Sequence, residues 1–210
     1  MKREGILFIL CGPAGAGKTT ISNYLVDNFP PCSFSISVTS RLQRFGEIPG
    51  ESYSFVSREE FNRKIDNGEF FEYEEVHGNF YGTLKSSVQD SLSNGVDLLL
   101  DIDIKGALTF KNQVPNNSVA IFIVPPSGAI LKERLFARGS ISSEELSRRL
   151  RTAEVEYETV NNLLSQNKID YFLVNDKLSD TCNLVSQILI AERMKLIRLN
   201  NSDINAICKI

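Results

Sequence analysis

Eight consecutive residues, Gly12-Pro13-Ala14-Gly15-Ala16-Gly17-Lys18-Thr19, restrict the possible folds of this chain more than anything else in it. They follow an unbroken apolar run at 6–11 and open a helical pattern at 18–28, which stops near Pro30-Pro31. A run apolar at every position suits a strand buried on both faces, as in a parallel sheet covered by helices. The glycines between strand and helix let the backbone wrap closely around an oxyanion, with successive N–H groups and the helix N-terminus facing it. Lys18 adds a mobile positive charge for β- and γ-phosphates, and the Thr19 hydroxyl suits Mg²⁺. The loop with Thr20 after it is therefore a candidate ATP-binding segment. It does not name the acceptor.

The rest of the chain repeats the strand–helix rhythm. Apolar runs at 96–102, 119–124 and 171–174 read as further parallel strands. Helical patterns at 86–93, 105–111, 129–137, 144–165 and 180–199 separate them. That order predicts an α/β fold of three layers, a parallel sheet between two layers of helices. Two stretches break the rhythm. Residues 33–83 carry Gly46, Pro49, Gly50, Gly68, Gly78 and Gly82 among aromatics and mixed charge, and read as a small α+β insertion. Within it, Ser57 followed by Glu60 fits a capping box before a short helix to about residue 66, and 69–76 reads as extended. A second insertion is expected at 138–156, where Gly139 precedes a Ser/Glu-rich stretch. The tail at 200–210 has weak pattern.

Net charge is −3, so the chain does not advertise a nucleic-acid or membrane partner, and any anion site must be local. The longest apolar runs, 5–11 and 119–126, are too short to span a bilayer. The N-terminus lacks a secretory apolar region with a cleavage site. Cys11, Cys32, Cys182 and Cys208 are scattered without metal-ligand spacing and read as reduced thiols. A cytoplasmic protein acting on small molecules, monomeric or homodimeric, is expected.

The acceptor is legible in Thr39-Ser40-Arg41-Leu42-Gln43-Arg44-Phe45-Gly46-Glu47-Ile48-Pro49-Gly50-Glu51-Ser52-Tyr53-Ser54-Phe55. This stretch resembles the signature of guanylate kinases, where T-[ST]-R-x-x-[KR] leads through an acidic residue and a glycine to Y-x-F. The resemblance continues in order through Gly68-Glu69-Phe70-Phe71-Glu72, Val76-His77-Gly78-Asn79-Phe80-Tyr81-Gly82-Thr83, Asp101-Ile102-Asp103, Arg134-Leu135, Arg138-Gly139, Arg149-Leu150 and Val174-Asn175-Asp176. It spans nearly the whole chain, from about residue 6 to about 192. Gln43 stands where a proline is common, Ala14 where many members have serine, and Lys105 where glutamine is frequent.

The resemblance implies a P-loop kinase that moves the γ-phosphoryl group of ATP onto GMP, and residue roles follow position by position. Arg41 and Arg44 can offer planar forks, and Tyr53 and Tyr81 phenolic O–H groups, to the GMP phosphate. Guanine presents N1–H and N2–H₂ donors where adenine presents an N1 acceptor, so a carboxylate matches the first and mismatches the second. Glu72 and Asp103 occupy the family's guanine-reading positions, and Ser37 and Thr83 its hydroxyl positions. Without the family, Glu72 could not be separated from Glu69, Glu74 and Glu75. Asp101 ends the apolar strand, the place for a carboxylate that assists Mg²⁺ directly or through water. It shares strand parity with Asp103, which predicts that both face one side.

Lys18, Arg138 and Arg149 are the expected catalytic cations. The two arginines match the family's lid, and Arg148 and Arg151 are not separable from Arg149 by sequence. Arg134 and Asn175 match positions on the ATP side. His77, the single histidine, reads as a turn residue. The implied division is a P-loop core at 1–33, 84–137 and 157–199, a GMP-binding subdomain at 34–83, a helical lid at 138–156 and a tail at 200–210. Two rivals share the scaffold. One is a non-catalytic interaction module, against which the intact loop argues. The other is a kinase for AMP or a sugar phosphate, against which Glu72 and Asp103 argue.

Overall fold

A computed structural model describes residues 3–51, 53–76, 78–137, 142–163, 166, 168–199 and 204–205. Five strands form the main sheet: β1 (Leu7–Cys11), β2 (Cys32–Phe34), β7 (Asp97–Asp101), β8 (Ser118–Val124) and β9 (Tyr171–Val174). Their order is β2-β7-β1-β8-β9 and every pairing is parallel. The unbroken apolar run of β1 has its expected consequence. Phe8 and Leu10 point into one layer, with α1 (Lys18–Asn28) and α7 (Leu178–Arg193) supplying Ile21, Leu25, Val185 and Leu189. Leu7, Ile9 and Cys11 point into the other, against Val88 of α3 (Lys85–Ser93), Ala107 and Phe110 of α4 (Ile104–Gln113) and Val160 of α6 (Ser143–Leu163). The fold is the three-layer α/β arrangement expected.

The insertion holds a second sheet, with β3 (Val38–Thr39), β4 (Ser54–Phe55), β5 (Phe70–Val76) and β6 (Asn79–Leu84) in the order β4-β3-β6-β5. Its small core stacks Phe61 of α2 (Arg58–Asp66) between Phe70 and Phe80, at ring distances of 4.5 and 5.2 Å. Ser57 caps α2 by accepting from the Glu60 N–H at 3.1 Å. Phe71, on the opposite face of β5, packs on Phe110 of α4 and fixes the insertion to the core.

Some boundaries differ from expectation. Residues 32–34 pair with β7 in the main sheet, so part of the stretch assigned to the insertion belongs to the core. The helix expected at 180–199 ends at Arg193 and gives way to a 3-10 turn at Leu196–Arg198, because Arg198 turns back to bond buried Glu192. The limit drawn between lid and core at 156/157 falls inside α6, which is unbroken. Residues 138–141 and most of 200–210, with Arg138 and Gly139 among them, lie outside the described residues, as does His77.

One buried cluster was not expected. Asp97 is fully buried at the start of β7. It accepts from Arg3 at 2.6 and 2.8 Å, from Arg193 at 2.7 Å and from the Ile6 N–H at 2.9 Å. Residues from the chain's beginning, middle and end thus meet on one carboxylate. Such a pair adds little over apolar packing when intact and costs several kcal/mol when one partner is removed.

Candidate active site

The donor side is built of backbone. Gly12, Gly15 and Gly17 have φ of 125°, 90° and 96°. A Cβ on Gly12 would lie 2.2 Å from the Ile123 carbonyl oxygen, so the loop cannot take this path with another residue there. Gly17 begins α1 with no side-chain cap and no acid in the first turn, which keeps the helix N-terminus available to an anion. Lys18 Nζ donates to the Gly12 carbonyl at 2.6 Å and lies 3.5 Å from Asp101. Leu131 and Leu135 of α5 (Gly128–Ala137) pack under Gly15.

Asn175 and Arg134 brace this loop from outside. Asn175 is buried, donates from Nδ2 to Ala16 O at 2.8 Å and accepts from Thr181 at 3.0 Å. Arg134 donates to the carbonyls of Asn175 and Asp176 at 2.9 and 3.1 Å. With Gly17 and Thr20 they line a cavity of about 320 Å³.

Thr19 Oγ1 donates to Asp101 Oδ2 at 2.8 Å, so the two residues expected at the metal are adjacent. No group of three or more His, Cys, Asp or Glu side chains among the described residues could hold a metal by itself. One hydroxyl and one carboxylate are a hard oxygen set of the kind that Mg²⁺ uses when nucleotide oxygens and water complete its shell.

The acceptor side is built of side chains. Ser37, Tyr53, Glu72, Tyr81 and Asp103 line a cavity of about 210 Å³, and Thr83 lines an adjoining one of about 280 Å³ with Thr19 and Asp101. Glu72 on β5 accepts from Thr83 Oγ1 of β6 at 2.8 Å. Burial raises the Glu72 pKa above the ordinary glutamate value, against the opposing effect of the Thr83 bond. Asp103 reaches the cavity for a reason other than strand parity. The strand stops at Asp101, and Asp103 caps α4 by accepting from the Gly106 N–H at 2.8 Å.

Tyr53 and Tyr81 meet edge to face at 5.9 Å, and the Arg41 guanidinium lies 5.4 Å from the Tyr53 ring centre. Arg41 is ion-paired with Glu47 at 2.7 Å, whereas the Arg44 side chain is exposed on the same loop.

Between the two sides lies a cleft of about 570 Å³ lined by Gly12, Lys18, Asp101, Asp103, Arg149 and Glu156 among others. Arg149 donates to Glu145 at 2.8 Å, and Arg148 pairs with the same carboxylate. Glu145, Glu74 and Glu156 line this cleft without having been singled out in sequence. Glu156 was within reach of sequence reasoning, since 145, 149, 152 and 156 share one face of a helix. It is buried, its Oε2 has no partner among the described residues, and burial pushes its pKa to about 7.

A parallel sheet with a Gly-rich phosphate loop at one strand end, and a separate carboxylate-lined pocket facing it across a cleft, defines a P-loop kinase for a small nucleotide acceptor. A sequence model described as guanylate kinase matches residues 4–192. Guanylate kinases of Geobacter sulfurreducens and Thermotoga maritima are 44% and 40% identical to the chain over 199 and 195 residues, 95% and 93% of its length and 95% and 91% of theirs. The crystal structure of the guanylate kinase from Anaplasma phagocytophilum superposes with a TM-score of 0.73 at 36% identity, covering 97% of this chain and 94% of that one. The chain belongs to the guanylate kinase family.

Proposed function

We propose that the protein transfers the γ-phosphoryl group of ATP to GMP, and to dGMP, giving ADP and GDP. The observation that carries the acceptor's identity is the pair of carboxylates, Glu72 and Asp103, lining one cavity with the hydroxyl of Ser37. Acceptor-only groups suit the two donors of the guanine edge and leave adenine's N1 facing a like lone pair. The Thr83 hydroxyl donates to Glu72 Oε1, and the other carboxylate oxygen is assigned to the base.

On the donor side, the loop N–H groups and Lys18 hold the ATP phosphates, and Thr20, Arg134 and Asn175 form the flank beyond the helix start. Thr19 and Asp101 would hold Mg²⁺, whose charge offsets that of the phosphates when it is bound. Arg41, Arg44, Tyr53 and Tyr81 hold the GMP phosphate. Transfer of a phosphoryl group depends on positioning and positive charge more than on a base. Arg149, on the face of α6 that lines the cleft with Lys18, supplies part of that charge. Arg138 is assigned the same role by family position alone. Closure of the lid and insertion over the two nucleotides excludes water. The protein works in the cytoplasm as a monomer or homodimer. Among the described residues no helix is long and apolar enough to cross a membrane.

The test is base selectivity. Glu72→Ala and Asp103→Ala should each reduce the preference for GMP over AMP by about 10²-fold or more, the scale for a site built to bond a polar edge. Unchanged GMP turnover in both variants would remove the carboxylates from base reading.

A further inference from the structure

We infer that Glu47 is a positioning residue for the acceptor phosphate: with the Leu42 carbonyl it grips one edge of the Arg41 guanidinium and so presents the opposite edge, Nε and Nη2, to the phosphate. The inference rests on the reading of Arg41 as a phosphate ligand given above.

A guanidinium carries five N–H groups in one plane. Among the described residues, three of Arg41's are taken. Nη1 donates to Leu42 O at 2.7 Å and to Glu47 Oε2 at 3.1 Å, and Nη2 donates to Glu47 Oε1 at 2.7 Å. The end-on fork is therefore closed. What remains is Nε–H and the second Nη2–H, which point the same way and form the side-on fork. The Tyr53 ring that faces the Arg41 guanidinium meets Tyr81 edge to face at 5.9 Å, so both proposed phenolic phosphate ligands stand on this side of the loop. The rings of Tyr53 and Phe55, with centres 5.4 and 5.7 Å from the guanidinium carbon, restrict the tilt of its plane. Glu47 then fixes rotation within the plane.

The same carboxylate also sets the neighbouring arginine. Glu47 Oε2 accepts from the Arg44 backbone N–H at 2.7 Å, and the Glu47 N–H returns a bond to the Arg44 carbonyl at 3.2 Å. Gln43 closes the turn by donating to the Glu47 carbonyl at 2.7 Å. One acid thus organises a loop carrying two phosphate-binding cations. Its side chain is 20% exposed and that of Arg41 is 11% exposed, so water competes weakly for the pair. A two-pronged bond held in place before the substrate arrives lowers the ordering cost of binding. The opposite role is also chemically definite: Glu47 could stand in for the phosphate and have to be displaced by it. The two roles predict opposite signs.

The test measures dissociation constants of GMP and guanosine, without ATP, for the intact chain and for Arg41→Ala, Glu47→Ala, Glu47→Gln and the double alanine variant. The GMP-to-guanosine ratio isolates the phosphate, and guanosine affinity reports that the pocket is folded. Arg41→Ala and Glu47→Ala should each lower the ratio about ten-fold or more, the scale of one charge-assisted bond. The double variant should lose less than the two single losses combined, because much of the Glu47 effect passes through Arg41 and only its hold on the Arg44 backbone remains. Glu47→Gln should lie between. In turnover, Glu47→Ala should raise KM for GMP and leave kcat at saturating GMP nearly unchanged. A ratio that rises or stays level in Glu47→Ala, while Arg41→Ala lowers it, overturns the inference and in the rising case favours the displaced-anion role. A level ratio in Arg41→Ala itself overturns the phosphate-site reading, and this inference with it.

Discussion

The two ends of the cleft are prepared for phosphate in different ways. At the donor end the proposed binding groups are backbone N–H groups, held by glycines at positive φ and by a helix start that no side chain caps. At the acceptor end the proposed groups are side chains, each fixed by a bond of its own: Arg41 by the Glu47 carboxylate, Glu72 by the Thr83 hydroxyl, and Asp103 by the Gly106 N–H at the start of α4. A backbone site needs a particular chain path and tolerates few residues along it. A side-chain site depends on partners, so its specificity changes one substitution at a time. Helix starts differ as well: α2 and α4 are capped by Ser57 and Asp103, while α1, like α3 and α7, has no side-chain cap.

The largest expected effect is at the donor end. Gly12→Ala puts a methyl 2.2 Å from Ile123 O and forces an alanine to φ of 125°. It should abolish detectable ATP binding, measured by calorimetry. If ATP binds that variant with unchanged affinity, the donor site does not depend on the loop path and the contrast fails.

Next is a change remote from both ends. Asp97→Ala leaves the partly buried Arg3 and Arg193 beside each other without their shared, fully buried carboxylate. Urea unfolding should show a loss of about 3–5 kcal/mol. GMP-over-AMP selectivity in the folded fraction should not move. A shift in selectivity would tie acceptor recognition to the whole sheet and blur the local picture.

Legibility follows the same division. The phosphate loop is a contiguous motif with fixed flanks, and β1, β8 and β9 are unbroken apolar runs, so both could be read from neighbouring residues. β2, β3 and β4 have two or three residues each, too few for any period to register. Asp97 reads as the polar edge of an apolar run, because its partners Arg3 and Arg193 lie more than ninety positions away. Glu72 was separable from Glu69, Glu74 and Glu75 only through family resemblance. The structure adds the physical distinction: Glu69 pairs with Lys64 and Glu75 with Arg58, and of the two that line the cavity Glu74 is exposed whereas Glu72 is partly buried and bonded to Thr83. The Glu47–Arg41 pair is not legible in sequence because spacing along an irregular loop does not say which acid faces which cation.

The smallest expected effect concerns Glu156, at the seam between the two ends. Its folded pKa of about 7 exceeds the ordinary 4.5 because burial disfavours the charge. Between these values the folded state holds a proton that the unfolded state has lost, so stability falls as pH rises through this window. Glu156→Gln lacks that loss. Its melting temperature relative to the parent should therefore increase from pH 5 to pH 8, by several degrees. A constant difference across that range would mean that Glu156 is ionised throughout.

The most direct test of the whole account is a coupled assay of ADP release, run with ATP, Mg²⁺ and each of GMP, AMP, CMP and UMP in turn. The account predicts ADP formation with GMP and none above background with the other three. Comparable turnover with AMP, or none with any of the four by folded protein, would contradict it.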